Sequence, residues 1–500
     1  MAGYTPTKTS LSRVYLIEGK ARPDHVPDYQ GTLMAGALSQ GFGDIEKIEA
    51  PDPDNYGEFI EIGFVRGATE RATTTIAGRY ALALKSRLME LAIRRCQFDM
   101  QFHFGLCKDP RNFQDFNKAV ILEDASITTY STDDLGALAS GDEAPVNETV
   151  DISAKLFYEV LPMNFGLKAS SLITNEVLGV VICGAKACGD CGDENAGCDK
   201  IYAVTKAAGG SPSTPPDILF SLDKGVTLIA HDIDTLTSAQ DADDIGCLGA
   251  YAVVISNAAN SLNYVELSEL KANNDPAWTE ITTGFVTGGE PKAIDVANGK
   301  AFIVGDLGYI YSTDDPTAGV VNDDAGVATT DDLLDVDALS DTFAVAVGRN
   351  GVVLLVTNGT TWSALTRPVG AGVHINCVAV KNEREWLIGT SAGNLYYTND
   401  QGDTWTVKPF PGSASGQVRD VKFATNSVVY LAHSTSAPAG RILRSYDGGH
   451  EWLVLPEGDA NLPANDYIGK LAACSYDPNF VVGGGLADDA ADGVLVVGTA

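Results

Sequence analysis

Residues 398–405 read Thr-Asn-Asp-Gln-Gly-Asp-Thr-Trp and match the pattern S/T-x-D-x-G-x-T-W at every fixed position. The pattern is typical of a tight turn between two β-strands. A carboxylate at Asp400 can accept hydrogen bonds from the amides of the turn, and Gly402 can adopt a positive φ at little cost. Trp405 offers a large apolar side chain that anchors the following strand. We therefore predict a β-hairpin at this position.

The same pattern recurs through the second part of the chain. Further copies lie at 221–228 and 445–452, and weaker copies lie at 312–314 and 357–362. The fixed residues that the two better copies keep are Asp223, Gly225, Asp447, Gly449 and Trp452. The segment is therefore a repeat and not a single motif.

The spacing of the copies defines the repeat. Their first residues are Ser221, Ser312, Thr357, Thr398 and Ser445, which lie 91, 45, 41 and 47 residues apart. The first interval is two periods, with one unit that lacks the motif near 262–267, and one more period follows Ser445. A repeat of roughly 40–50 residues with four short strands is typical of a β-propeller blade. The sequence therefore predicts a seven-bladed β-propeller over about residues 172–500.

The final unit of this repeat is one strand short. It offers strands at 470–474, 479–484 and 493–498, whereas a blade has four. An open blade leaves an unpaired edge, which β proteins avoid. We predict that the start of the domain closes the ring, with 177–183 either as the outermost strand of the last blade or as the innermost strand of the first.

The recurring turn resembles the Asp box of sialidase-like β-propellers. In that family the boxes lie on peripheral turns, and catalysis needs an arginine triad, a tyrosine nucleophile and an Arg-Ile-Pro motif. The arginines of 172–500 lie in no such context, and they are Arg349, Arg367, Arg384, Arg419, Arg441 and Arg444. HExxH, P-loop and dinucleotide-binding motifs are also missing from the sequence. We expect a structural role for the boxes, no enzymatic activity and no cofactor.

Nine cysteines include a cluster of four, which are Cys183, Cys188, Cys191 and Cys198. Their spacing suits either a zinc knuckle or a pair of disulfides that staple a glycine-rich loop. The loop has little apolar content, so it needs some cross-link. We favour disulfides over metal, because the remaining features indicate a particle exposed to oxidising surroundings.

The charge balance is strongly acidic, with 34 Lys+Arg against 66 Asp+Glu and a formal net charge of −32. Such a surface repels nucleic acid, and it keeps a concentrated assembly soluble. The N-terminus has no apolar segment of the kind that signal peptides carry, and no apolar run approaches 18 residues. We therefore expect neither Sec-type secretion nor membrane insertion.

Residues 1–165 have a different pattern from the blades. We predict strands at 14–17, 44–50, 58–65, 70–76, 97–104, 118–131 and 153–161, with a hairpin joining the second and third. One helix is predicted at 81–95, with an apolar face formed by Leu82, Leu84, Leu88, Met89, Leu91 and Ile93. This pattern favours a β-sandwich or open barrel with a single helix packed on it. A linker at 166–171, rich in small residues, is expected before the propeller.

The strand order, the lone helix and the stretch KAVILEDASITTYSTDDLGALASGDEAPVNETVDISAKLFYEVLP at 118–162 resemble the major tail tube protein of long-tailed bacteriophages and related viruses. That resemblance implies hexameric rings that stack into a tail tube, with other tail proteins as partners and DNA passing through the lumen without specific binding. It implies assembly in the host cytoplasm and a place in the virion tail. The propeller would then decorate the outside of the tube and contact host-surface glycans. The alternative is a glycan-binding or sialidase-like propeller protein with an unrelated β-sandwich domain.

Overall fold

The computed structural model describes residues 13–18, 29–41, 46–51, 59–65, 72–80, 88, 91–93, 95, 97–104, 118–132, 148–154, 156–161, 163–167, 173, 175–183, 198–207, 214–274, 276–325, 328–434, 440–454, 467–486 and 493–499. The chain divides into two compact units, Met1–Pro162 and Met163–Ala500. No helix among these residues is long and apolar enough to cross a membrane.

The first unit is a closed arrangement of β-strands. Its described strands are β1 (Arg13–Glu18), β2 (Tyr29–Gly41), β3 (Glu46–Pro51), β4 (Phe59–Val65), β5 (Ala72–Tyr80), β6 (Phe98–Phe104), β7 (Lys118–Thr132), β8 (Glu148–Ala154) and β9 (Leu156–Val160). Seven of them form one sheet in the order β6-β1-β2-β5-β8-β7-β9, and β6 also pairs with β7. That last pairing closes six strands into a ring, and β9 continues from β8 along the same edge of β7. The sequence pattern favoured a β-sandwich or an open barrel, whereas the strands of the structure form a closed ring.

The core of this unit includes β6, where apolar residues alternate with polar ones in the sequence. Phe98, Met100 and Phe102 are buried on β6, but Asp99 and Gln101 between them are buried as well. Asp99 is accommodated because its carboxylate accepts a hydrogen bond of 2.9 Å from the amide of Asp124. The strand is therefore covered on both faces, and not on one face as strict alternation predicts.

The predicted helix at 81–95 is described at five positions, and residues 88 and 91–93 are helical. Leu88 and Leu91 are buried in the core of the first unit, whereas Ile93 is 71% exposed. Ile93 follows Leu91 by two residues, which turns it about 200° around a helix. The prediction that Ile93 widens the apolar face was therefore wrong. The other residues of the predicted helical face lie outside the described residues.

The strands β3 and β4 form a hairpin of their own. They pair antiparallel from Glu46 opposite Val65 to Pro51 opposite Phe59. Within the described part of the chain this two-stranded sheet joins no other sheet. The hairpin interrupts the connection between β2 and β5, which pair directly with each other.

The second unit consists of seven four-stranded antiparallel sheets within its described residues. Blades 1 to 3 are β11 (Val177–Ile182), β12 (Ile201–Thr205), β13 (Asp217–Ser221), β14 (Ile229–Asp232); β15 (Asp244–Leu248), β16 (Tyr251–Ser256), β17 (Ser261–Glu266), β18 (Thr279–Ile281); and β19 (Pro291–Ala297), β20 (Lys300–Gly305), β21 (Tyr309–Thr313), β22 (Val321–Ala325). Blades 4 to 6 are β23 (Leu333–Ala338), β24 (Ala344–Gly348), β25 (Val353–Val356), β26 (Trp362–Ala364); β27 (Ile375–Val380), β28 (Trp386–Thr390), β29 (Leu395–Thr398), β30 (Thr406–Lys408); and β31 (Gln417–Phe423), β32 (Val429–Ser434), β33 (Gly440–Ser445), β34 (Leu453–Val454). Blade 7 is β35 (Tyr467–Ala473), β36 (Val481–Leu486), β37 (Gly493–Thr499) and β10 (Asn164–Leu167). Short 3-10 turns lie at Leu267–Glu269, Asp306–Gly308, Pro316–Ala318 and Arg349–Gly351.

The sheets close into a β-propeller. The first strands of blades 1 to 7, called the inner strands below, contact one another in chain order, and β35 of blade 7 contacts β11 of blade 1. Apolar side chains fill the space between successive blades, as where Val345 and Val353 of blade 4 meet Val378 and Trp386 of blade 5. The periodicity of the turn motif therefore gave the correct number of blades.

Blade 7 takes its fourth strand from the start of the second unit, as predicted, and of the two places predicted for 177–183 the innermost strand of blade 1 is the correct one. β10 pairs with β37 from Asn164 opposite Thr499 to Leu167 opposite Val496. The segment 177–183 instead supplies β11, the innermost strand of blade 1. The predicted linker at 166–171 thus overlaps a strand. A strand of four residues, two of them apolar, is too short to be recognised from its sequence. It forms because β37 offers it an edge to pair with.

Candidate ligand site at the axis of the propeller

Carboxylates join the inner strands around the axis. In five places an aspartate side chain on one inner strand accepts a hydrogen bond from a backbone amide on the next. The pairs are Asp244 with Ile294 (3.2 Å), Asp295 with Ala338 (2.7 Å), Asp335 with Val378 (2.9 Å), Asp337 with Val380 (2.6 Å) and Asp420 with Leu471 (2.7 Å). Because neighbouring inner strands belong to different sheets, these bonds join successive blades to one another.

Two lysines lie among these carboxylates. The Lys470 Nζ atom is 3.4 Å from Asp335 Oδ1 and 3.6 Å from Asp244 Oδ2. Burial alone lowers the pKa of Lys470, but the carboxylates of Asp244, Asp335 and Asp420 outweigh it and raise that pKa. Burial also lowers the pKa of Lys422, but the carboxylates of Asp420 and Asp335 outweigh it and raise that pKa. Burial raises the pKa of Asp420 itself to about 6. The axis therefore holds charged ammonium groups that neutralise part of the carboxylate ring.

The inner strands are bulged near their first residues. The register shifts by one residue in six of the seven inner strands, and the residues at these bulges are Leu178, Lys292, Leu334, Asn376, Arg419 and Gly469. A bulge redirects its extra side chain out of the regular alternation. Here the bulges place these residues around one end of the propeller axis, which we call the axial mouth.

Glycines on the neighbouring strands make room for the bulges. A Cβ at Gly348 would lie 2.1 Å from the carbonyl oxygen of Asp332, and one at Gly485 would lie 1.9 Å from that of Tyr467. Such contacts are far below van der Waals distance, so only glycine fits. The sequence holds a signal for this geometry, since Gly348 and Gly351 repeat the spacing of Gly305 and Gly308.

A cavity of about 240 Å³ opens at the axial mouth, lined by residues of blades 1, 5, 6 and 7. Its lining residues are Glu176, Val177, Leu178, Asn376, Gln417, Arg419, Tyr467, Gly469 and Lys470. Four of these are bulge residues, which explains why the cavity lies here. Of these residues only Arg419 was a candidate from the sequence, as an arginine that lacks the sialidase context.

Arg419 is held in the cavity by two neighbouring side chains. Its Nε donates a 2.8 Å hydrogen bond to Ser434 Oγ, and its guanidinium carbon lies 4.5 Å from the centre of the Tyr467 ring. The hydroxyl of Tyr467 in turn donates to Glu176 Oε1 at 2.6 Å. Burial, followed by the bond to Glu176, raises the pKa of Tyr467 to about 12. Tyr467 thus stays neutral and holds both neighbours in place.

The predicted Asp boxes lie elsewhere, each between the third and fourth strands of a blade, at 221–228, 398–405 and 445–452. All three share one set of hydrogen bonds. The first hydroxyl donates to the aspartate (Ser221 to Asp223, 2.7 Å; Thr398 to Asp400, 2.8 Å; Ser445 to Asp447, 2.7 Å) and accepts from the glycine amide (Gly225, 2.8 Å; Gly402, 2.9 Å; Gly449, 2.9 Å). The aspartate also accepts a hydrogen bond from the amide four residues after it in the chain, namely that of Thr227, Thr404 or Glu451.

The environments of the three aspartates differ. For Asp400, burial raises the pKa, but hydrogen bonds from Thr404 and Thr398 outweigh it and lower that pKa. For Asp447, burial dominates and raises the pKa to about 7. Trp452 is buried and donates from Nε1 to Gly449 O at 3.0 Å, whereas Trp405 is half-buried against Trp386. None of these residues lines the axial cavity, and their arrangement is that of a turn and not of a catalytic group.

The cysteine cluster does not cross-link within itself at the two positions that the structure describes. Cys183 pairs with Cys247 of blade 2, and Cys198 pairs with Cys474 of blade 7. The expectation that the disulfides staple one loop was wrong for these two, because their partners lie on neighbouring blades and are remote in sequence. Cys188 and Cys191 lie outside the described residues. Within the described part of the chain no group of three or more His, Cys, Asp or Glu side chains has the geometry of a metal site.

Comparisons with known proteins reach the same architecture. No protein-family model and no curated protein sequence matches the chain significantly. The structure of YCF48 bound to D1 peptide matches 68% of this chain and 96% of its own with a TM-score of 0.50 at 15% identity. YCF48 from Cyanidioschyzon merolae matches 67% of this chain and 99% of its own with a TM-score of 0.50 at 16% identity. At these identities the likeness concerns the fold alone, and two thirds of this chain is a β-propeller of the kind found in those proteins.

Proposed function

We propose that this chain is a virion structural protein, a major tail tube subunit whose hexameric rings stack into a DNA-conducting tube and carry the propeller on the outside. The observation that carries the proposal is the β3–β4 hairpin. It stands apart from the main sheet of the first unit and offers strand edges of six and seven residues.

Within the described part of the chain, β3 and β4 pair only with each other, so each strand has one edge that can pair with a partner. Backbone donors and acceptors on an exposed strand edge are a template for pairing with another chain. A neighbouring copy of the same subunit supplies the matching edge when copies are arranged in a closed ring, since each copy then gives and receives the same element. This agrees with the assembly that the tail tube resemblance implies.

The charge balance supports passage of DNA without capture. A net charge of −32 repels phosphates, and a tube that conducts DNA must not hold it. We therefore expect DNA to pass through a tube of these subunits without binding tightly to it.

The test is electron microscopy of the purified full-length chain. We expect rings or tubes. A variant in which residues 46–65 are replaced by a short Gly-Ser linker should stay folded by circular dichroism and remain monomeric. Asp400→Ala, in a propeller turn, is the matched control and should assemble like the wild type. A hairpin-deleted variant that still forms tubes would show that the hairpin is not the assembly element, and a monodisperse wild-type monomer would overturn the proposal.

A second candidate function is that the propeller is a binding module, as in the glycan-binding alternative. The supporting observation is the axial cavity with its oriented Arg419. One of the structures with a similar fold, that of YCF48, was solved with a peptide bound. Binding of purified glycans or peptides to the full chain, measured by calorimetry, separates this candidate from a purely architectural propeller.

A further inference from the structure

Arg419 differs from Arg349 and Arg367, which pair with aspartates of the propeller. Arg349 pairs with Asp332 at 3.2 Å and Arg367 pairs with Asp331 at 2.7 Å. Arg419 uses only its Nε for a hydrogen bond, and its two terminal nitrogens meet no acceptor among the described residues.

The two terminal nitrogens of the Arg419 guanidinium are held in a fixed orientation and are available to a ligand. Stacking on Tyr467 and the bond to Ser434 fix the plane of the guanidinium, so little conformational entropy is lost when a ligand docks. The side-chain amide of Gln417 makes no hydrogen bond to a described residue, and Asn376 uses its Nδ2 on Val418 O at 2.9 Å, which leaves its Oδ1 available. Three side chains therefore present unused polar atoms to one cavity.

We infer that the axial mouth binds a carboxylate group carried by a peptide, either an acidic side chain or a chain terminus, through the terminal nitrogens of Arg419. A planar guanidinium matches a carboxylate with two parallel hydrogen bonds. The inference goes beyond tail tube assembly and does not depend on it, but it deepens the second candidate function by naming the ligand class.

The charges around the cavity favour a carboxylate over a phosphate. Glu176 lines the same cavity, and Lys470 is already neutralised by Asp335 and Asp244. A phosphate group carries nearly two negative charges near neutral pH and meets more repulsion there than a singly charged carboxylate does. The net charge of the whole chain matters less, since charges beyond about 8 Å are largely screened at physiological salt.

The cavity also favours a peptide over a sugar. The guanidinium of Arg419 covers a face of the Tyr467 ring, so this ring is not free as a stacking platform. Val177 and Leu178 form an aliphatic wall, and Gly469 leaves space without a side chain. At about 240 Å³ the cavity is smaller than the ~300–1,000 Å³ of typical small-molecule pockets and admits one residue-sized group.

The test uses the full-length protein and three probes in ligand-observed NMR titrations: N-acetyl-leucine, its uncharged analogue N-acetyl-leucinamide, and glucuronate as a carboxylated sugar. We expect N-acetyl-leucine to bind with a Kd on the order of millimolar, as one anchored contact allows. The amide and the sugar should each bind at least tenfold more weakly.

Variants assign the binding to Arg419. Arg419→Gln should weaken N-acetyl-leucine binding at least tenfold, and Arg419→Lys, which keeps the charge but loses the fork, should weaken it less. Gln417→Ala should cause a loss of a few fold. Arg349→Gln removes the same charge from an arginine that already has a partner, and it should bind like the wild type. Melting curves establish that each variant is folded, and Gln417→Ala keeps the test informative if Arg419→Gln does not fold.

Three results would overturn the inference. These are equal binding of the acid and its amide, unchanged binding by folded Arg419→Gln, and failure of N-acetyl-leucine to bind at all. Glucuronate binding that is tighter than that of N-acetyl-leucine and depends on Arg419 would assign the mouth to acidic sugars instead. None of these results bears on whether the chain forms rings or tubes under the electron microscope, so failure of this site is distinguishable from failure of the tube proposal.

Discussion

Cys198 and Cys474 form a disulfide across 276 residues of sequence, and it joins the first blade of the propeller to the seventh. The same junction carries an ion pair of 3.4 Å between Lys224 and Asp477. The ring is thus closed at its seam by a covalent bond in addition to the backbone pairing of β10 with β37. A second disulfide, Cys183 to Cys247, ties blade 1 to blade 2.

Removing the seam disulfide should destabilise the protein more than removing the other one. Closing a loop of 276 residues restricts the unfolded chain by about 5–6 kcal/mol in the chain-entropy model, against about 4 kcal/mol for the 64-residue loop of the second bridge. The double variant Cys198→Ser/Cys474→Ser should therefore unfold at lower urea than Cys183→Ser/Cys247→Ser, and both below the oxidised wild type. Identical urea midpoints for reduced and oxidised wild type would contradict this expectation.

The two Asp-box tryptophans should differ in their contribution to stability. Trp452 is 7% exposed and hydrogen-bonded, so Trp452→Ala should lower the free energy of unfolding by about 3–5 kcal/mol. Trp405 is half-buried, and Trp405→Ala should cost roughly half as much in proportion to the apolar area it covers. Urea unfolding followed by circular dichroism measures both. Equal losses would mean that burial of the indole does not set its contribution.

The blades were predictable because the signal for each is local. The hydroxyl, carboxylate and glycine amide that bind one another in residues 398–405 all lie within eight residues, so the turn can be recognised from the sequence and its period counted. Gly402, with a φ of 84°, occupies the left-handed region that the pattern requires. Two weaker copies lie in corresponding turns, since the strands β21 and β25 end at them.

The closure and the candidate site were not predictable, because their partners are remote in sequence. β10 pairs with a strand more than 300 residues away, and the partner of Cys198 is Cys474 rather than a neighbour in the cluster. Arg419 gains its orientation from Tyr467 and Ser434, and its place in the cavity from a bulge that only strand pairing reveals. The residue type at any one of these positions does not indicate which remote residue it contacts.

The carboxyls of Asp217 and Asp232 should make stability depend on pH. They lie directly opposite each other on β13 and β14. Burial, and then the hydrogen bond and charge of Asp232, raise the pKa of Asp217 to about 7. Because the pKa is higher in the folded chain than the usual 3.8, the bound proton stabilises the fold fully below about pH 4, and this contribution is lost as the pH rises through 7.

Asp217→Asn removes that titration. The difference between the melting temperatures at pH 5 and pH 8 should therefore be smaller for this variant than for the wild type. The variant should also be the more stable of the two at pH 8, where the wild type holds two facing carboxylates. Asp403→Asn, in an exposed turn of blade 5, is the matched control and should keep the wild-type difference. Calorimetry at both pH values gives the comparison, and parallel pH profiles for Asp217→Asn and the wild type would exclude this pair as the source.

Deleting residues 493–500 should destabilise the whole propeller and not only its last blade. The deletion removes β37, which lies between β36 and β10, so it leaves two strands of blade 7 and frees β10 from the ring. It also removes Leu495 and Val497 from the apolar cluster that they share with Ile201 and Leu219 of blade 1. Limited proteolysis should cut the truncated protein throughout the blades, whereas removal of Ala500 alone should change nothing. Wild-type protection of the blades after the longer deletion would show that the ring holds without its two ends meeting.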